Sequence, residues 1–144
     1  MNQFKRFVSY AAISLVAIGT TSSAWAANCI QPNFGGGWKA YISTASPIGQ
    51  IWVQCRLIVR AADGVIGNTT CTISNGASGA FTAAKLTIVS SAACEFKATF
   101  SVGGLPYTAT AITLSDDHLN ASGVGTYKVG ATTYAFTVQM VKIS

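Results

Sequence analysis

From residue 38 onward, apolar and polar side chains alternate along the chain, and reversals interrupt the alternation at nearly even intervals. The clearest run is 51–60. Ile51, Val53, Cys55, Leu57 and Val59 share one side of it, and Gln54, Arg56 and Arg60 share the other, joined by the apolar Trp52 and Ile58. A period of two places successive side chains on opposite faces of an extended strand, so this is a half-buried strand. The same reading predicts strands over 38–44, 65–74, 82–89, 94–102, 119–127 and 132–143. Val65, Cys71, Ile73, Ala84, Leu86 and Ile88 are expected to face inward. Cys94, Phe96, Ala98, Phe100 and Val102 alternate against Glu95, Lys97, Thr99 and Ser101.

Asp63-Gly64 between two alternating runs is a strong hairpin signal. Cys55 and Cys71 lie equally far from residue 63. A three-residue loop, Ala62-Asp63-Gly64, puts these cysteines opposite each other; a two-residue turn offsets them by one. The hairpin therefore predicts a Cys55–Cys71 bridge and leaves Cys29 for Cys94, both expected near the same end of the sheet.

An internal repeat fills the last third. Residues 100–111 match residues 127–138 at an offset of 27, each copy reading strand, glycine turn, strand. By that match Tyr107, Ala109 and Ala111 should face inward, as Tyr134, Phe136 and Val138 do. Gly123-Val124-Gly125 reads as a bend or bulge within its strand. Turn centres fall near residues 63, 77, 91, 104, 117 and 130, and no helical period appears between them. Short strands with regularly spaced turn signals predict an all-β, single-domain, antiparallel up-and-down meander of about eight strands, closed or nearly closed into a barrel. A two-sheet sandwich is the alternative.

Residues 1–26 have a different character. Lys5 and Arg6 precede an apolar core, and Ala24-Trp25-Ala26 is a small-x-small cleavage site, the pattern of a cleaved secretory signal peptide. That core is shorter than the roughly 20 apolar residues of a spanning helix. Asn28 before Cys29 makes a poor lipidation site. Residues 27–37 form a lead-in rich in Gly, Asn and Pro, and 38–144 form the domain. Export makes disulfides the natural state of four cysteines. The protein is expected to work in the periplasm or outside the cell.

Charge is sparse. Beyond residue 26, seven scattered cations face only Asp63, Glu95, Asp116 and Asp117. No clustered basic patch points to nucleic acid. One histidine and four acids are a thin inventory for acid–base catalysis. Asp116-Asp117-His118 reads as a polar hairpin tip. There is no C-x-x-C, no G-x-S-x-G and no glycine-rich loop opening a helix. No catalytic residue, metal or cofactor is expected.

Gly36-Gly37-Trp38 at the start of the first strand resembles the G-x-W of the calycins, the lipocalin and avidin group. That resemblance implies a small barrel with Trp38 plugging one end. The early tryptophan and disulfide are also similar to small periplasmic inhibitors of secreted metalloproteases. By phasing, the interior mixes aromatic with small residues, and Trp38, Phe96, Phe100, Tyr107, Tyr134 and Phe136 are the candidate ligand-binding residues. Either large side chains pack against small ones and fill the barrel, or they line a cavity for an apolar ligand.

The sequence thus predicts a secreted or periplasmic non-catalytic binding module for a small apolar ligand or an envelope or extracellular protein. The alternatives are a structural or surface-interaction protein of the envelope, matrix or a fibre, with self-association through exposed strand edges, and an inhibitor-like barrel. N-terminal sequencing of the exported protein should begin at Ala27; a start elsewhere than Ala27 or Asn28 contradicts the cleavage reading.

Overall fold

A computed structural model describes residues 29–46 and 49–144; residues 1–28, which carry the expected signal peptide and cleavage site, and residues 47–48 lie outside the described residues. A short 3-10 helix, Gln31–Phe34, leads into nine strands: β1 Gly36–Ser46, β2 Gly49–Val59, β3 Val65–Ile66, β4 Thr69–Ile73, β5 Ser78–Ser90, β6 Glu95–Val102, β7 Leu105–Leu114, β8 Asn120–Val129 and β9 Thr132–Lys142. Each strand pairs antiparallel with its neighbours, and β9 returns to pair with β1. β3 and β4 both lie between β2 and β5. They are two halves of one position, broken at Gly67-Asn68. The result is a closed up-and-down barrel with eight positions around its wall, the number at which the interior just fills with side chains. The sandwich alternative does not form.

The predicted disulfides are both present: Cys29 with Cys94, and Cys55 with Cys71. Cys55 and Cys71 stand directly opposite, their Cα atoms 4.4 Å apart, the spacing of a pair that shares no ladder hydrogen bonds. The route to that register differs from the three-residue loop. The Arg60 amide donates to the Val65 carbonyl and the Gly64 amide to the Arg60 carbonyl, so Ala61 to Gly64 make a four-residue turn. That turn pairs Val59 with Ile66, one residue out of step with the cysteines. The break at Gly67-Asn68 adds the missing residue and restores the step. Val65 is consequently only half-buried and Ile66 takes the inward place.

Register shifts bend the wall at three places, one of them late in β5 between Ile88 and Ser90; the other two change which side chains face the core. On β5 the pairing slips between Thr82 and Lys85, where Ala83 adopts a positive φ of 52°. Phe81 and Ala84 therefore both face the core, and the strand starts at Ser78 rather than near Thr82. On β7 the extra residue is Thr110, with register shifts against both β6 and β8. Ile112 and Leu114 take the buried places beyond it and Ala111 does not. The irregularity expected at Gly123-Val124-Gly125 thus sits across the ladder from those glycines. They are needed there because a Cβ on Gly125 would collide with the Thr108 carbonyl and the Phe136 ring, and one on Gly123 with the Ala111 carbonyl.

One end of the barrel is closed by the lead-in. Phe34 and Trp38 pack at 4.6 Å and Phe34 meets Phe96 edge-on at 5.0 Å; all three are fully buried. The indole Nε1 of Trp38 donates to the Phe34 carbonyl at 2.8 Å, which satisfies the one polar atom of a buried tryptophan. The Cys29–Cys94 bridge and the Cys29 amide bonded to the Ser91 carbonyl hold the lead-in in place. The chain end returns to the same place, with the Gly37 amide bonded to the Ser144 carbonyl.

Replacing Cys55 and Cys71 together by serine should lower unfolding stability by about 2–4 kcal/mol, the usual scale for a native bridge in a small domain. The readout is the unfolding free energy from midpoint and slope together, because the bridge also limits how far the unfolded chain expands; a change near zero contradicts a stabilising role for that bridge.

Candidate ligand-binding site

Toward the end away from Trp38, five consecutive strands each place an aromatic side chain on the inner face. Phe81 of β5 stacks on Phe100 of β6 at 5.2 Å, Phe100 on Tyr107 of β7 at 5.1 Å, Tyr107 on Tyr127 of β8 at 4.8 Å, and Tyr127 on Tyr134 of β9 at 5.3 Å. Phe136 meets Phe100 and Tyr107 edge-on at 5.9 and 5.4 Å. The register makes this stack: Phe100 opposes Tyr107, Tyr107 opposes Tyr127, and Tyr127 opposes Tyr134. Directly opposed residues bring their Cβ atoms within about 5 Å, close enough for rings to stack. The 27-residue repeat is therefore the sequence signature of this aromatic wall.

The candidate residues divide between the two ends. Trp38 and Phe96 belong to the plug at the closed end with Phe34. Phe100, Tyr107 and Phe136 are buried in the aromatic wall, and Tyr134 is half-buried at its edge. Phe81 and Tyr127 complete the wall and are absent from the sequence-based candidates. Phe81 precedes the expected start of its strand and is out of phase across the bulge at Ala83. Tyr127 carries a usable signal, because it is the repeat equivalent of Phe100.

Between the two ends the barrel is filled. Ala40, Ile42, Leu57, Phe81, Leu86, Phe100 and Met140 are among the side chains around a residual void of only about 20 Å³, roughly the room of one water molecule. Packing of large against small residues is thus the state of the interior, and no ligand-sized chamber runs through it.

A ligand-sized concavity opens instead at the seam where β1 and β9 part. Their ladder ends at Thr44 opposite Phe136. Beyond it, Ala45 and Ser46 pair with Gln50 and Gly49 of β2, while Thr132 to Ala135 pair with β8. The cleft measures about 710 Å³ and reaches down to Phe136, within the range of small-molecule sites. Ser43, Thr44, Ala45 and Gln50 form one side; Gly125, Thr126, Ala135, Phe136 and Thr137 are on the other, with Thr110 and Val124 at its outer margin. Thr44 is the one buried polar residue among the described residues. The lining has hydroxyls, an amide and apolar surface, and no charged side chain. Grooves of about 310 and 380 Å³ continue along the outside of β7 to β9.

All four acids lie at the opposite end. Asp63 is held by the Arg60 guanidinium, with Nε donating to Oδ1 at 2.7 Å. That hydrogen bond pulls its carboxyl down to about 2. Asp117 accepts from the Ser115 hydroxyl and the Leu119 amide, which also lower its pKa. His118, at a positive φ of 58°, lies 3.3 Å from the Asn33 side-chain nitrogen and 3.9 Å from the Cys29 sulfur. Among the described residues no three His, Cys, Asp or Glu side chains cluster as a metal site.

No protein-family model matches the chain, and no curated protein matches it. Solved structures do share its fold. The structure of EF1p2_mFAP2b bound to DFHBI aligns with a TM-score of 0.62 and 16% identity, over 77% of this chain and 94% of that one. A de novo designed fluorescence-activating β-barrel aligns with a TM-score of 0.59 and 8% identity, over 78% of this chain and 96% of that one. At these identities the likeness is one of fold.

Burial in the aromatic wall, and the neighbouring Tyr127, push the Tyr107 phenol up to about 12. The folded protein therefore holds that proton more tightly than the unfolded chain, whose tyrosines titrate near about 10. The associated stability is complete below pH about 10 and is lost as pH rises toward about 12. Phenolate absorbance should include a late step that Tyr107→Phe removes; a titration curve that Tyr107→Phe leaves unchanged at its late end contradicts the burial of this ring.

Proposed function

We propose that this chain is an exported, non-catalytic binding module that holds a small uncharged ligand in the β1–β9 cleft. The observation that carries the reading is the cleft itself: a concavity of about 710 Å³ that ends on a buried aromatic and is lined without charge. Such a lining favours a ligand with an apolar body and a few hydrogen-bonding groups, because unpaired charge on the ligand would be desolvated without compensation. The Phe136 ring offers a floor against the aromatic wall. Ser43, Thr44, Gln50, Thr126 and Thr137 offer hydroxyls and an amide to orient polar groups.

Support for a non-catalytic role comes from the placement of titratable groups. The acids and His118 lie at the closed end, and Asp63 and Asp117 are used by their own turns. Support for export comes from the signal pattern of residues 1–26 and from two disulfides in a domain of this size. No helix among the described residues is long and apolar enough to cross a membrane. Of the two aligned structures, one is bound to DFHBI and the other is a designed fluorescence-activating barrel, which makes small-molecule binding a physically reasonable use of this architecture. A fibre would need a long free strand edge, and among the described residues the closed sheet leaves only the ends of β1 and β9 parted at the seam.

The test is native mass spectrometry of the mature protein isolated from its own envelope fraction and culture supernatant, beside the Ala135→Trp variant. Ala135 is an exposed side chain on the cleft rim, so a tryptophan there fills the site without entering the core. A neutral small molecule retained by the wild type and lost from a variant of unchanged circular dichroism is the expected result. Equal retention by both proteins, or none by either, overturns the cleft as the binding site.

A further inference from the structure

The outer wall of β1, β2 and β9 carries features that neither the core nor the cleft explains. Tyr41 and Trp52 are 41% and 47% exposed. Tyr41 stands opposite Gln54, and Trp52 is two residues before Gln54 on the same strand. The two rings are therefore diagonal neighbours on one face, within reach of a single extended molecule. Their surroundings are amides and hydroxyls: Gln54 between them, Gln139 opposite Tyr41 on β9, and Ser43 opposite Trp52.

Next along the same face, Lys39 and Arg56 are directly opposed on β1 and β2. Like charges in that position destabilise a sheet. Neither has an acidic partner; the one ion pair among the described residues is Arg60 with Asp63. The Lys39 ammonium lies 5.4 Å from the Tyr41 ring centroid, which ties the cationic end of the strip to its aromatic part. The uncompensated pair is a local anion-attracting feature that the fold itself does not need. From Arg56 to Trp52 is four strand residues, about 13 Å at the usual rise. The opposite wall, β5 to β7, lacks this combination: its outward residues between Ala80 and Thr113 are mainly Thr, Ser and Lys.

We propose that this strip docks an acidic polysaccharide. Tyr41 and Trp52 would stack on the apolar faces of sugar rings, Gln54 and Gln139 would bond ring hydroxyls, and Lys39 with Arg56 would take a carboxylate. The alternatives fit less well. An acyl-chain surface would bury the amides of Gln54 and Gln139 without partners, which costs free energy. A symmetric second copy would bury Lys39 and Arg56 in a patch that joins itself and offers no acidic side chain to pair with them.

The experiment is affinity electrophoresis of the mature, oxidised protein in gels containing polygalacturonate, dextran or no polymer. Co-sedimentation with anionic phosphatidylglycerol vesicles and sedimentation velocity accompany it. Expected are retardation by polygalacturonate, weakened by salt, and much weaker retardation by dextran. Trp52→Ala should reduce the affinity for polygalacturonate by about tenfold, the loss of one aromatic contact. The double variant Lys39→Gln, Arg56→Gln should abolish the preference for the acidic polymer while circular dichroism stays unchanged. No retardation overturns the proposal. So does retardation that Trp52→Ala leaves intact, tighter binding to vesicles than to the polymer, or a dimer that Trp52→Ala dissolves. Because the cleft is read by retention of a small molecule and this face by retention on a polymer, either can fail alone.

Discussion

The pairing of β1 with β9 is the constraint on which the remainder of the molecule depends. An open eight-position meander of this composition would expose two long edges rich in Thr, Ala and Val, and such edges recruit other chains. Pairing from Trp38 to Thr44 against Lys142 to Phe136 removes most of that exposure. Closure also fixes the number of positions around the wall, and with it the size of the interior. The core is then solved by size: Ala40, Ala84, Ala98 and Ala109 sit among Phe, Tyr, Leu and Met, and little room remains.

The seam does not run the full length of either strand, and this sets the character of the open end. Where Thr44 and Phe136 make the last pair, the β1–β2 hairpin leaves the wall and a cleft appears beside it. Five neighbouring strands supply rings at this level, whereas β1, β2 and β4 supply Thr44, Val53, Cys71 and Ile73. The mouth is thus lined by stacked rings on one side and by smaller side chains on the other.

The sequence made the strands, their direction and the disulfide partners legible because alternation and turn chemistry are local signals. It did not reveal where a residue is added to a strand. Thr110 and Ala83 look like any other members of their runs, yet each puts the side chains on its two sides out of phase, as Ala111 and Ile112 show beyond Thr110 and Phe81 shows before Ala83. The turn after Arg60 misled for the same reason, since a longer loop and a break at Gly67-Asn68 cancel each other by the time the chain reaches the cysteines. The aromatic wall was half visible: the repeat brought out Phe100, Tyr107, Tyr134 and Phe136, but the split between plug and mouth is a property of strand direction. Thr44 and the cleft left no mark in the pattern, because the parting of two strands depends on pairing between residues about ninety positions apart.

The lead-in and the chain end share the closed base, where Cys29 is bridged to Cys94 and Ser144 is bonded to Gly37. A tether, tag or solid support joined next to either residue would therefore hold the barrel upright by its foot. Oriented immobilisation of that kind would present the seam outward, free of steric shadow from whatever carries the protein.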